Sequence, residues 1–235
     1  VTAGGEAYWT VNRSTTDGAA WTETYAWYAG STSGLVDMSA VVVGGYVYVG
    51  YVWIDVPDEC RLRRCYVSTG LADHTYGYQT VLNAGTATIT EVSVASNATT
   101  FDNRIYCFAL QSDNALRFAW DEASDGTTFT EHSPAVTTAA SALDATWNPG
   151  YATWFLYVSY LDTDGHIYLQ CYDGAWTGYS IASGSGVSHR TGVSVSAYDD
   201  VVICAYEASF TNGRGIAYRI SYDGGASWNG GTLAD

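Results

Sequence analysis

Ser221-Tyr222-Asp223-Gly224-Gly225-Ala226-Ser227-Trp228 is a polar turn closed at its far end by a bulky aromatic. Looser copies precede it: Thr15-Thr16-Asp17-Gly18-Ala19-Ala20-Trp21, Ser68-Thr69-Gly70, Ser124-Asp125-Gly126-Thr127-Thr128-Phe129 and Tyr172-Asp173-Gly174-Ala175-Trp176. Aligned on Gly18, Gly70, Gly126, Gly174 and Gly224, the copies recur at spacings of 52, 56, 48 and 50 residues. A period near this length marks a repeated supersecondary unit, and it settles the architecture before any single residue is weighed.

Working outward from each turn, the same strand signals return. Apolar or alternating runs predict a second strand at Tyr46 to Asp55, Arg104 to Asp113, Thr153 to Asp162 and Val201 to Phe210. Each meets a turn signal: Pro57-Asp58, Asp113-Asn114, Asp164-Gly165 and Asn212-Gly213. First strands are predicted at Val36 to Val43, Ile89 to Ala95, Ala142 to Trp147 and Gly192 to Ala197. The third strand leads into the aromatic turn and a fourth leaves it. Four antiparallel strands per unit make a propeller blade. The expected fold is therefore all-β: one domain over residues 1–235, a β-propeller of about five four-stranded blades. It divides into a half-blade at 1–30 and repeats at about 31–85, 86–139, 140–185 and 186–235, and the opening blade is incomplete.

Composition agrees. Charged residues are only 14% of the chain against 47% hydrophobic and 15% aromatic, and Tyr, Trp and branched side chains suit a pleated surface. The formal charge is −15 and all nine basic residues are Arg. So negative a field repels nucleic acid and anionic membranes. Without Lys there is no Schiff-base nucleophile. No run reaches the roughly 18 apolar residues of a spanning helix. No nucleic-acid partner, membrane insertion, cofactor or metal is expected; Asp162-Thr163-Asp164-Gly165 starts like a calcium loop but returns at once to strand.

The last turn, S-x-D-x-G-x-x-W, resembles the Asp-box (BNR repeat) of sialidase-like β-propellers. That resemblance implies a structural role, remote from any active site, for Asp17, Trp21, Asp125, Phe129, Asp173, Trp176, Ser221, Asp223, Gly225 and Trp228. It also places these turns opposite the ligand face, which carries the turns between strands two and three. The candidate ligand residues there are Asp113, Asp164, His166, His189, Arg190 and Arg214, with Asp55, Asp58, Glu59 and Arg61 on the same face. The repeat from Val158 to Trp176 is similar to a blade of fungal fucose-binding propeller lectins, which implies sugar binding between blades by Arg, Glu and aromatic side chains. The N-terminal Arg-Ile-Pro signature of sialidases is absent, and no catalytic residue is assigned.

Cys60 and Cys65 flank Arg61-Leu62-Arg63-Arg64, read as a short loop, and are a candidate disulfide; Cys107, Cys171 and Cys204 read as buried thiols. Asn12 and Asn97 head candidate N-glycosylation sequons. The expected function is a non-catalytic extracellular or cell-surface recognition module that binds a glycan. The alternatives are a self-assembling subunit of a fibre, appendage or virion, its open blade completed by a neighbouring chain, and a sialidase-like glycosidase.

Overall fold

The computed structural model describes residues 34–69, 73, 76–97, 103–122, 124, 126–149, 156–182, 189–210 and 213–232, with backbone alone at 133–135, 189–191 and 210. Ahead of these it describes the backbone of four short strands: β1 (Thr2–Ala3) paired with β2 (Glu6–Ala7), and β3 (Val11–Arg13) paired with β4 (Thr22–Thr24).

Four antiparallel sheets follow, each of four strands taken in chain order. Sheet one is β5 (Leu35–Val43), β6 (Tyr46–Trp53), β7 (Val56–Tyr66) and β8 (Gln79–Asn83). Sheet two is β9 (Ile89–Ser96), β10 (Ile105–Gln111), β11 (Leu116–Asp121) and β12 (Phe129–Val136). Sheet three is β13 (Ala139–Trp147), β14 (Leu156–Asp162), β15 (Ile167–Tyr172) and β16 (Trp176–Ala182). Sheet four is β17 (His189–Tyr198), β18 (Val201–Phe210), β19 (Gly213–Ser221) and β20 (Asn229–Thr232). No helix occurs among the described residues. The sheets pack face on face in sequence order, which is the β-propeller arrangement.

One rung fixes the correspondence between sheets. Ser39 lies opposite Gly50 and Gly50 opposite Leu62; the matching rungs are Ser93–Phe108–Phe118, Asp144–Ser159–Leu169 and Ser194–Ala205–Tyr218. Because side chains alternate along a strand, each sheet turns one set forward to the next sheet and the other back to the preceding one. The core accordingly divides into three seams. Tyr48, Val52 and Leu62 meet Val92, Val94 and Cys107 in the first. Tyr106, Phe108 and Phe118 meet Leu156, Val158 and Tyr160 in the second, and Tyr157, Ile167 and Leu169 meet Val193, Val195 and Val202 in the third.

The innermost strands are edges, so their outward N–H groups need partners that no strand supplies. Side chains of the preceding sheet supply them. Val92 N donates to Asp37 Oδ2 at 2.7 Å and Val94 N to Ser39 Oγ at 3.0 Å. One sheet on, Ala142 N and Leu143 N donate to the Glu91 carboxylate and Ala145 N to Ser93 Oγ. In the third seam Val195 N donates to Asp144 Oδ2 at 2.8 Å, and the same oxygen accepts from Ser194 Oγ. A short polar side chain at the head of each rung thus sets both register and order of the sheets.

Three expectations need correction. The turn closing β6 onto β7 is Ile54-Asp55, and Pro57-Asp58 lie inside β7. Residues 57–60 fall in a bulge opposite Val52, where the missing proline N–H costs no ladder bond. Arg61 to Arg64 are likewise strand, which removes the candidate disulfide. Cys60 and Cys65 are both buried free thiols on β7, and five residues of strand hold them about 16 Å apart, far beyond disulfide reach. Burial pushes the Cys60 thiol up to about 12, so it stays protonated. Finally, Asn97 is buried at 4% exposure and its Oδ1 accepts the Arg104 N–H at 2.7 Å, a packed position that leaves no room for a glycan. Asn12 lies in β3, and its side chain is outside the described residues, as are Asp17, Trp21 and Asp125.

Candidate functional site

The two ends of the sheets are chemically different. One end carries the turns from strand three to strand four. At the last of these, Gly225 N donates to Ser221 Oγ at 2.7 Å, Ser227 N to Asp223 Oδ1 at 2.8 Å and Trp228 Nε1 to Gly225 O at 2.9 Å. The donors from Ser227, with that of Ser221, hold the Asp223 carboxyl down to about 2. Asp173 accepts from Ala175 N in the corresponding turn of sheet three. Two of these turns are also clamped to the sheet before them. Tyr157 Oη donates to Gly224 O at 2.8 Å, and Tyr76 Oη donates to Gly126 O. Gly126 has φ +73°, and a Cβ there would lie 2.8 Å from the Tyr48 ring, so only glycine fits. The aromatics that follow are packing groups: Phe129 joins the first seam, Trp176 lies against Phe108, Phe118 and Tyr172 in the second, and Trp228 joins the third. Trp176 Nε1 is buried there without a hydrogen-bond partner, and the ring of Tyr222 is exposed.

The opposite end carries the turns from strand two to strand three and the connections between sheets. Two hairpins are tied to the start of their own sheet, Ser112 N donating to Thr88 O and Thr163 N to Thr138 O, while Ala139 N at the start of sheet three donates to Asn114 O in the hairpin of sheet two. Asp113 and Asp164 are exposed in equivalent turns of sheets two and three. Asp113 Oδ1 accepts from Ala115 N; Asp164 donates its own N–H to Asp162 Oδ1, which also accepts from His166 N at 2.8 Å. The three ligand groups of Asp162, Asp164 and His166 lie within 4.8 Å of one another, but the buried Asp162 carboxylate is engaged in closing the turn. His189 and Arg190 open β17, and their side chains are outside the described residues. Arg214 sits on β19 with Nη1 3.4 Å from Glu207 Oε1, its side chain 63% exposed. These residues share one end of the molecule, spread over three sheets, and do not converge on one point.

The groups that do converge are arginine–glutamate pairs at that same end. Arg61 and Arg117 occupy the same place in their sheets, opposite Tyr51 and Ala109 respectively, one residue before the rung and turned back toward the preceding sheet. Arg117 pairs with Glu131 on β12, and its Nη1 reaches across the first seam to Asn83 O at the end of β8. Arg61 pairs with Glu59 through Nε at 2.8 Å and Nη2 at 2.7 Å. Thr80 Oγ1 donates to the same carboxylate, and the guanidinium lies 4.6 Å over the ring of Tyr78, an exposed side chain. Both pairs are about a quarter exposed, open enough to meet a ligand and enclosed enough to strengthen its hydrogen bonds. Sheet three has Tyr168 at this place and sheet four has Ala217. Arg61 and Glu59 are among the residues expected on the ligand face; Tyr78, Asn83, Arg117 and Glu131 are not. A signal existed: Arg61 and Arg117 are 56 residues apart, the same spacing as Gly70 and Gly126.

The sequence matches no protein-family model and no curated protein. Solved structures share the fold. The Aleuria aurantia lectin, described as a six-bladed β-propeller with a novel mode of fucose recognition, superposes with TM-score 0.62 at 14% identity, over 92% of this chain and 68% of that one. The BP39L lectin of Burkholderia pseudomallei gives 0.60 at 15% identity, over 84% and 55%. An exo-β-1,3-galactanase of Phanerochaete chrysosporium gives 0.55 at 9% identity, over 83% and 49%. The chain thus spans a little over half of the BP39L lectin's length. At these identities the likeness establishes a β-propeller and leaves the chemistry to the site.

Proposed function

We propose that the chain is a carbohydrate-recognition propeller that holds a sugar at its arginine–glutamate pairs, outside the cell and without catalysing a reaction on it. The observation that carries this reading is the recurrence of Arg61 and Arg117 at one place in successive sheets, each against a glutamate. A pyranose offers adjacent hydroxyls and an apolar face. A guanidinium donates two parallel hydrogen bonds to such hydroxyls, the carboxylate accepts a third, and an exposed ring such as Tyr78 takes the apolar face. The lectin neighbours add support, since one is described with a fucose recognition mode and another in complex with α-methyl fucoside.

A glycan array probed with the full chain tests the proposal, followed by titration with methyl α-fucoside. Specific retention on a terminal monosaccharide class is expected. Arg61→Ala and Arg117→Ala together should weaken it at least about tenfold, the loss of one charge-assisted hydrogen bond. An empty array, or retention unchanged in the double variant, overturns it. Turnover of aryl glycosides by the full chain would instead favour a hydrolase such as the galactanase neighbour.

A further inference from the structure

Arg61, Arg64, Arg117 and Arg214 are each set against a carboxylate, those of Glu59, Asp73, Glu131 and Glu207. Arg219 has no such partner among the described residues. It stands one residue past the rung on β19, half-buried and turned back into the third seam. There its Nε donates to Ile181 O on β16 at 3.1 Å, and the guanidinium is hydrogen-bonded to the hydroxyl of Tyr206 on β18. A carbonyl and a phenol thus fix the direction of the cation without neutralising it. These bonds use only part of its donor set. In a chain of net charge −15, an arginine left without a counter-ion is the exception.

The first seam shows what has been exchanged. Arg117 reaches Asn83 O on the last strand of the preceding sheet, as Arg219 reaches Ile181 O, and Glu131 neutralises it from β12. Glu131 lies opposite Ala119, one residue past the rung of sheet two. On sheet four the matching place, opposite Arg219, is Gly230. Gly230 is exposed, and a Cβ there would run into Cζ and Nη1 of Arg219. The fourth strand therefore gives up a carboxylate and, with it, every side-chain atom that would displace the guanidinium.

We propose that Arg219 centres a second binding site, in the third seam, for an oxyanion: the carboxylate or sulfate group of an acidic ligand. The ligand supplies the charge that Glu131 supplies in the first seam. A guanidinium matches the paired oxygens of such groups with parallel hydrogen bonds, and partial burial strengthens them. The chain's overall negative field is screened beyond about 8 Å at physiological salt, so the local pairing decides. The site does not depend on a sugar at the arginine–glutamate pairs.

The test follows the arginine Nε–H signals of the full chain by NMR. Sodium glucuronate or sodium sulfate is added against sodium chloride at equal ionic strength. The signal missing from Arg219→Gln identifies Arg219, and Arg219→Lys gives the same assignment. That signal is expected to move saturably with at least one of the two oxyanions. A response to glucuronate marks an acidic sugar as the ligand class, and a response to sulfate alone marks a sulfate ester. Gly230→Ala, which pushes the guanidinium off β20, should weaken the response at least about tenfold with circular dichroism unchanged. No movement with either salt, movement equalled by chloride, or a response unchanged in Gly230→Ala overturns the proposal. So does a response confined to signals that vanish in Arg61→Ala/Arg117→Ala, which would seat the anion at the arginine–glutamate pairs. Loss of sugar binding in that double variant leaves the Arg219 response intact, so the two proposals fail separately.

Discussion

The seam between sheets three and four and the open forward face of sheet four are built on the same rung and face the same way. In the seam the rung's head is Asp144, holding an inner-strand N–H of the next sheet, and its neighbours Tyr157, Leu161 and Ile167 are covered. On sheet four the same places carry Ser194, Ile203, Glu207 and Ile216. The acceptor is weaker, the tyrosine clamp is gone, and a leucine has become a glutamate paired with Arg214. The difference teaches that a propeller sheet is coded twice: once by alternation, which makes any face apolar, and once by the few polar atoms that decide which sheet may sit on it.

Substitutions at matched places separate the two codes. The largest expected effect is Tyr157→Ala, which should lower unfolding free energy by about 3–5 kcal/mol by opening a cavity in the third seam. Ile203→Ala at the matching place in dilute protein should cost under about 1 kcal/mol. Equal losses in urea titrations would mean that both faces are covered alike. Next, Asp144→Ala leaves the Val195 N–H unpaired and should cost about 1–3 kcal/mol, against about 0.5 for Ser194→Ala. Tyr157→Phe keeps the ring and deletes the hydroxyl's bond to Gly224 O, a loss of about 1 kcal/mol by the same assay.

The smallest effect lies in the turn of Asp223. Its carboxyl is held at about 2, below the unfolded value, chiefly by the donors of Ser227. A lowered pKa contributes stability that is present above the unfolded value of about 4 and is lost as pH falls toward 2. Asp223→Asn should therefore flatten the fall in melting temperature between pH 4 and 2 and change the slope little above pH 5. An unchanged acid slope would show that the turn contributes nothing through that charge.

Much of the fold was legible because it rests on local signals. Alternating runs located the second strands, and Asp164-Gly165 marked a true hairpin with Gly165 at φ +79°. Pro57-Asp58 misled because a proline is as welcome in a bulge as in a turn, and only the pairing of Trp53 with Val56 tells them apart. Cys60 and Cys65 misled for a related reason: a charged run between cysteines reads as a loop, yet it is a strand on which Arg61 and Arg63 take one face and Leu62 and Arg64 the other, with Leu62 in the core and Arg64 against Tyr48 and Tyr76. The candidate site was less legible. Asp113, Asp164, His166 and Arg214 were placed at one end by the turn spacing, but Arg117 and Glu131 are joined only through the pairing of β11 with β12, which no local pattern records. Asn83 joins them only because sheet one packs on sheet two.

The most direct test of the account titrates a methyl glycoside of the array-selected sugar into the full chain, the Arg61→Ala/Arg117→Ala variant, and a control changed at Asp113. Saturable binding by the parent and the control is expected, with at least about a tenfold loss in the double variant. Binding that survives removal of both arginines, or that vanishes with Asp113 alone, would contradict it.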